Sequence, residues 1–317
     1  MSVVISIIIP VFNRSGIIEN TLDSVINQSY TNWECILVDD GSNDNSVEIL
    51  NKYKSIDGRF KVYSRPENTI KGAPTCRNIG IFKAVGEHVV FLDSDDTLEK
   101  HCLENRVQKF KVNPDKDFLI FPMGVMRDGH VSKKEITSKT SYLEEFLSYR
   151  LPWSIMCPIW KRDFLIKLKG FKEGYPRLND PELMIRALLV QNVKFIVFND
   201  EEYDTIYYPS ISNWTLITDK YYDSLVLFIP DICKALELVN KHNLKPHLSN
   251  YLKIWYRDFM FPSNKNLIRQ NTNLISLFYK QSINSLVKTM CLKILLYAHI
   301  FTHFVKRKLV KKIIKLT

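Results

Sequence analysis

Residues 34–40, ECILVDD, and residues 89–96, VVFLDSDD, share one build: a short apolar run that ends directly in carboxylates. Such a run, rich in β-branched and aromatic residues and of strand length, reads as a sheet strand, with the acids in the loop that leaves it. Ile5–Ile9, Phe60–Tyr63 and Phe118–Phe121 are runs of the same kind, so strands are expected at Ile5–Ile9, Glu34–Val38, Phe60–Tyr63, Val89–Leu92 and Phe118–Phe121. Between them the spacing turns helical. In Ile17–Gln28 the residues Ile18, Thr21, Leu22, Val25 and Ile26 share a face. Asn43 or Asp44 can cap a helix towards Tyr53, and Thr97 one through Phe110. Strand–helix alternation at this spacing predicts an α/β fold, a mostly parallel sheet with helices on both faces.

Ligands bind in open α/β sheets at the carboxyl ends of strands, which is where Asp39, Asp40, Asp93, Asp95 and Asp96 fall. No GxGxxG follows the first strand and no GxxxxGK[ST] occurs, which argues against a dinucleotide dehydrogenase or a P-loop NTPase. The 317 residues are 45% apolar and 25% charged, values of a folded chain. Six cysteines stand singly with no CxxC pair, which argues against a disulfide scaffold or zinc ribbon and fits a reducing compartment. The opening MSVVISIIIPVFN lacks a basic stretch before its apolar run and reads as a first strand rather than a signal peptide. Beyond residue 112 the chain is rich in proline. A helix is expected over Asp180–Gln191, with Pro181 in its first turn, then a strand over Val193–Phe198, and helix from Asp219 onward.

FLDSDD, residues 91–96, can be read in two ways. Alternating carboxylates delivered into a cleft suit a hard divalent ion, Mn²⁺ or Mg²⁺, which takes one or two carboxylates and completes its shell with substrate phosphates. The plainer reading is a loop of Asp and Ser that caps a helix starting near Thr97.

FLDSDD has company. SIIIPVFNR (6–14), QSYTNWECILVDDGSNDNS (28–46), CRNIG (76–80) and FLDSDD arrive in a fixed order that resembles the family 2 glycosyltransferases, nucleotide-sugar-dependent enzymes of the GT-A fold. The resemblance covers about the first 110 residues closely and 150–215 more loosely. It implies that Pro10, Val11 and Asn13 line a uridine site, that Asp39 or Asp40 accepts from the uracil imide, and that Arg77 lies near base and phosphates. Asp93 and Asp95 match the DXD motif: Asp95 is the implied metal ligand, Asp93 a ribose or sugar contact, and Ser94 a further donor contact. A uracil N–H needs a fixed acceptor and a departing diphosphate needs positive charge, so the chemistry agrees with these roles.

The family places an acidic pair at a helix start as its catalytic base. Here Asn179–Asp180 stands in that position within GFKEGYPRLNDPELMIR (170–186), so the first acid is missing and Asp180 is the implied base, with Asp96, Glu182 and Arg186 in support. The plainer reading of Asp180 is a helix cap, which is compatible with the favoured role as base. DTIYYPSISNW (204–214) matches a donor-closing loop but carries Tyr207, Tyr208 and Pro209 where relatives often have a basic residue. Trp153 and Trp160 are candidates for sugar stacking or for core.

The net charge of +10 is uneven: residues 217–317 hold 17 Lys/Arg against 5 Asp/Glu, while the first 216 hold 27 against 29. Residues 284–305 are apolar but interrupted by lysine and histidine, marginal for a spanning helix. Leu309, Val310, Ile313, Ile314 and Leu316 fall on one side of the final turns, with Arg307, Lys308, Lys311, Lys312 and Lys315 on the other, as on a helix lying at an anionic membrane surface. No nucleic-acid-binding motif accompanies the charge, so nucleic acid is not an expected partner. The division expected is a nucleotide-sugar-binding half (1–112), an acceptor and catalytic half (113–215) and a basic helical region (216–317). The reading is an inverting, metal-dependent glycosyltransferase passing a sugar from a UDP-sugar to a glycan or lipid-linked acceptor, cytoplasmic and peripheral to the membrane. The alternatives are a sugar-phosphate nucleotidyltransferase, against which PVFNRSG speaks, and a non-catalytic GT-A-like scaffold, which Asn179 favours.

Overall fold

The computed structural model describes residues 4–209, 214–260 and 267–314. The chain divides into two units. The first comprises Met1–Leu143 with Leu151–Ser212; the second comprises Glu144–Arg150 with Asn213–Thr317.

The first unit is built on a seven-stranded sheet. β1 (Ile5–Val11) lies at its centre between β2 (Trp33–Asp39) and β4 (His88–Phe91). β3 (Phe60–Ser64) forms one edge, and beyond β4 come β9 (Pro158–Lys161), β6 (Phe118–Ile120) and β10 (Phe195–Val197). β1 pairs in parallel with β2 and β4, β2 with β3, and β6 with β10; β9 runs antiparallel to both β4 and β6. Every residue of β1 and β2 is buried, which explains why these strands read as unbroken apolar runs rather than alternating ones. The chain leaves β1 with β2 on one side and β4 on the other, so the carboxyl ends of these three strands open onto one crevice.

Helices α1 (Ile18–Ile26), α2 (Ser46–Ile56), α3 (Ala73–Lys83) and α4 (Cys102–Val112) carry the crossovers. α1 buries Ile18, Thr21, Leu22 and Val25, the expected face. α3 lies so close over β1 that a Cβ on Gly80 would sit 2.3 Å from Ile8 Cγ2. A smaller sheet, in the order β5 (Thr97–Leu98), β11 (Thr205–Tyr207), β7 (Met123–Arg127), β8 (His130–Lys134), follows the DXD loop.

Here one expectation is corrected. Thr97 does not cap a helix: it pairs with Ile206 in β5, and α4 begins only at Cys102. Pairing with a strand a hundred residues away competes for the backbone, and the Glu99 N–H donates to the Asp204 carbonyl at 2.9 Å. Near α2, Asp44 rather than Asn43 takes the first helical N–H, from Ser46 at 3.0 Å. α5 spans Tyr142–Leu147, α6 Arg162–Lys167 and α7 Asn179–Leu189, the last ending two residues before the expected Gln191.

The second unit is helical. α8 (Trp214–Leu238) starts ahead of the expected Asp219 and continues through Pro230; a 3₁₀ segment (His242–Leu248), α9 (Ser249–Ile254), a π segment (Trp255–Met260), α10 (Ile268–Lys280) and α11 (Leu286–Ile314) follow. Trp255, Tyr221 and Phe259 stack in its core. Its backbone is helical to Ile314; Lys315 and Leu316, and the side chains of the expected amphipathic tail from Arg307 on, lie outside the described residues.

Candidate active site

Three loops meet at the carboxyl ends of β1, β2 and β4. Pro10 and Val11 are still part of β1, and the Val11 carbonyl accepts from Asp40 N–H at 2.8 Å. Asn13 takes a left-handed conformation (φ 51°); its N–H donates to Ser42 Oγ at 3.0 Å and its Oδ1 accepts from Asn43 N–H at 2.9 Å. Asn13 therefore ties the first loop to the second. Asp39 folds back on its own turn and accepts from Gly41 N–H at 3.0 Å and Ser42 N–H at 3.1 Å. Asp40, almost fully buried, accepts from Arg65 Nε and from Gly72 N–H.

Arg65 was not anticipated. β2 and β3 pair Asp39 with Ser64, so the next residue of each strand, Asp40 and Arg65, come side by side. That register was the missing signal. Arg14, in the loop after β1, is a second residue of the site that was not anticipated. Its Nε donates to Ser94 Oγ at 3.2 Å and its guanidinium lies 3.5 Å from an Asp95 carboxylate oxygen.

The centre of the site is Arg77, on α3 and only 3% exposed. One nitrogen donates to Asp93 Oδ1 at 2.6 Å and another to Asp180 Oδ1 at 3.0 Å, while the guanidinium carbon stands 5.1 Å from the Phe171 ring centre. Asp93, at the end of β4, and Asp180, in the first turn of α7, are thus brought together across 87 residues of sequence. Each carboxylate keeps about a third of its side-chain surface open, 34% and 32%. Burial pushes the Asp180 carboxyl up to about 6, against the pull of Arg77. α7 is entered through Leu178 in the left-handed region (φ 62°), a strained position for a branched side chain. Glu182 and Arg186 form a forked pair (2.6 and 2.7 Å), and Arg186 donates to the Leu168 and Gly170 carbonyls. These contacts join the pair to the preceding segment and brace the start of α7.

Asp96 faces inward. Its Oδ1 accepts from Tyr208 N–H at 2.9 Å, its Oδ2 is buried with no partner among the described residues, and burial together with Asp93 lifts its carboxyl to about 8. Asp95 is raised too, by burial and then by Asp93. Trp153 and Trp160 are 3% and 0% exposed and belong to the core, not to a sugar platform. Of DTIYYPSISNW, residues 210–213 lie outside the described residues.

Among the described residues no group of three or more His, Cys, Asp or Glu side chains is gathered to hold an ion. The DXD carboxylates nonetheless fit one. Asp93, Asp95 and Asp96 crowd one loop, where burial first and Asp93 second raise Asp95 and Asp96, and Asp96 Oδ2 has no partner among the described residues; Mn²⁺ or Mg²⁺ needs only one or two carboxylates when phosphates complete its shell.

Comparison with known proteins agrees with this frame. Residues 6–161 match the family described as glycosyl transferase family 2. An uncharacterized glycosyltransferase of Haemophilus influenzae is 45% identical over 103 residues, covering 32% of this chain and 40% of that protein. The poly(ribitol-phosphate) β-N-acetylglucosaminyltransferase TarP of Staphylococcus aureus is 29% identical over 208 residues, covering 63% of this chain and 61% of TarP. The chain therefore spans less than two thirds of either relative. Among solved structures, residues 1–349 of S. aureus TarS in complex with UDP-GlcNAc superpose with a TM-score of 0.65 at 21% identity, over 86% of this chain and 81% of that one, which shows a shared GT-A fold. By that match, with the sequence motifs and the GT-A fold in agreement, residues 6–161, just under half of the chain, belong to glycosyl transferase family 2.

Proposed function

We propose that this protein transfers a sugar from a UDP-sugar to a hydroxyl of a glycan or lipid-linked saccharide, with inversion, in cell-surface polysaccharide assembly at the cytoplasmic face of the membrane. The observation that carries the reading is the grip of Arg77 on Asp93 and Asp180, which sets a DXD carboxylate beside a base candidate at one strand-end crevice. The names of two relatives support the details: TarS is seen with UDP-GlcNAc, and TarP is a β-N-acetylglucosaminyltransferase acting on poly(ribitol-phosphate).

Asp180 accepts the proton of the acceptor hydroxyl as that oxygen attacks the anomeric carbon from the face opposite the diphosphate, so one displacement inverts the centre. Arg77 keeps Asp180 aimed and limits how far burial raises it. Asp40, with Arg65 and Gly72, and the Asn13–Ser42 tie shape the base and ribose end. A Mn²⁺ or Mg²⁺ ion held through Asp95 would supply positive charge to the departing diphosphate. The domain division follows: donor contacts from residues 1–112, the base from 113–215 and the basic helical region after 216.

The test is calorimetric titration with UDP, in Mn²⁺ and in EDTA, on wild type and Asp95→Ala. Metal-dependent binding that the variant loses is the expected result. No UDP binding under either condition overturns the donor assignment, and unchanged turnover in Asp180→Asn removes Asp180 from the mechanism.

A further inference from the structure

α11 buries Thr289 and Leu296 and turns its opposite face to solvent. On that face Leu286, Val287, Met290, Ile294, Tyr297 and Phe301 are each between 54% and 71% exposed. At 3.6 residues per turn these six fall within an arc of about 100°, so they form one stripe rather than scattered apolar residues. The stripe is about 22 Å long. Single exposed apolar side chains need no explanation, but six aligned on one helix do.

The surrounding charge decides the occupant. After Asp258 the chain holds eleven Lys/Arg and no Asp or Glu, and on the helical projection Lys293 borders the stripe beside Leu286. A second copy of this helix would bring the same positive charge and no acid to pair with it. An anionic surface meets both requirements, since it takes apolar side chains at the acyl boundary and basic ones at the headgroups. Among the described residues no helix is long and apolar enough to cross a membrane, so the stripe would lie along the surface.

We infer that the outward stripe of α11, Leu286 to Phe301, is the membrane-seating surface of this protein, docking on anionic lipid with its apolar side chains inserted and Lys293, at its edge, among the headgroups. The inference rests on the membrane-face part of the function proposed above. It deepens that part by placing the contact on the stripe, ahead of the basic final turns.

The experiment is flotation of the full chain with phosphatidylglycerol vesicles and with phosphatidylcholine vesicles, for wild type and an Ile294→Glu/Phe301→Glu variant. Both positions are exposed and glutamate is a good helix former, so matching circular dichroism and UDP affinity report an intact fold. The expected result is binding to the anionic vesicles that exceeds binding to the neutral ones, weakens with salt, and falls by about tenfold or more in the variant. Equal flotation of variant and wild type overturns the inference. So does a wild-type oligomer that the variant dissolves to monomer while neither protein floats. Wild type that binds UDP but not vesicles defeats the inference and leaves the donor site standing; vesicle binding without UDP binding does the reverse.

Discussion

Asp93 and Asp180 share one guanidinium. The DXD carboxylate just after β4 and the carboxylate in the first turn of α7 both accept from Arg77, at 2.6 and 3.0 Å, and Arg77 itself is buried. Two carboxylates this close repel, and a planar fork between them satisfies both at once. Lysine carries the charge without the fork. Arg77→Lys is therefore expected to lower kcat/KM by about 100-fold with melting temperature nearly kept, and Arg77→Ala to lower both. Thermal melts beside steady-state rates check this; wild-type kcat/KM in Arg77→Lys refutes the clamp.

The pH dependence of turnover follows from the same geometry. Asp180 works as a base only when deprotonated, and burial holds its carboxyl up to about 6. Activity is expected to rise with pH through about 6 and to level off above it. Removing the Arg77 charge, as in Arg77→Met, withdraws the influence that pulls this value down, so the acidic limb moves to higher pH. A kcat/KM profile between pH 5 and pH 9 tests both statements, and a limb that stays in place in Arg77→Met would separate Asp180 from the observed titration.

How much was legible in the sequence depended on whether the signal was local. Burial on both faces leaves unbroken apolar runs, so β1, β2 and β4 were readable, and β2 and β4 are followed by acids within a few residues. Thr97 was misread because its fate depends on β11, more than a hundred residues away. Arg65 was missed because only the β2–β3 register sets it beside Asp40. Glu182 and Arg186 were expected in support of Asp180; the sequence did not show that they pair with each other, one helical turn apart, and hold the segment before α7 through the Leu168 and Gly170 carbonyls.

The seat of α3 on β1 allows no side chain at Gly80. A Cβ there would stand 2.3 Å from Ile8 Cγ2 and 3.1 Å from its Cγ1, and Ile8 is fully buried in the central strand. Relief requires α3 to lift, and α3 carries Arg77. Gly80→Ala is expected to cost about 1–3 kcal/mol and to reduce activity beyond that loss of stability. Denaturant unfolding paired with kcat measured well below the unfolding midpoint distinguishes the two; a variant as stable as wild type contradicts the close contact.

His88 makes stability sensitive to acid. It lies in β4, 4% exposed, with its ring centre 4.1 Å from that of Phe110 and neither ring nitrogen partnered among the described residues. Burial, followed by smaller opposed influences from Glu87 and Lys161, lowers it to about 4 from an ordinary 6.5. Between those two values the unfolded chain binds the proton and the folded one does not, so stability falls as pH drops from about 6.5 to about 4 and is fully present above. A shift of this size amounts to about 3 kcal/mol at most. Phenylalanine fills the site with a ring that cannot take a proton, so His88→Phe is expected to flatten this part of the curve. Other carboxylates titrate in the same window, which is why the comparison is the difference between variant and wild type, from urea unfolding at pH 7.5, 6 and 5. If the two proteins lose stability in parallel as the pH falls, His88 is already charged or already hydrated in the folded state, and the dry packing against Phe110 does not hold.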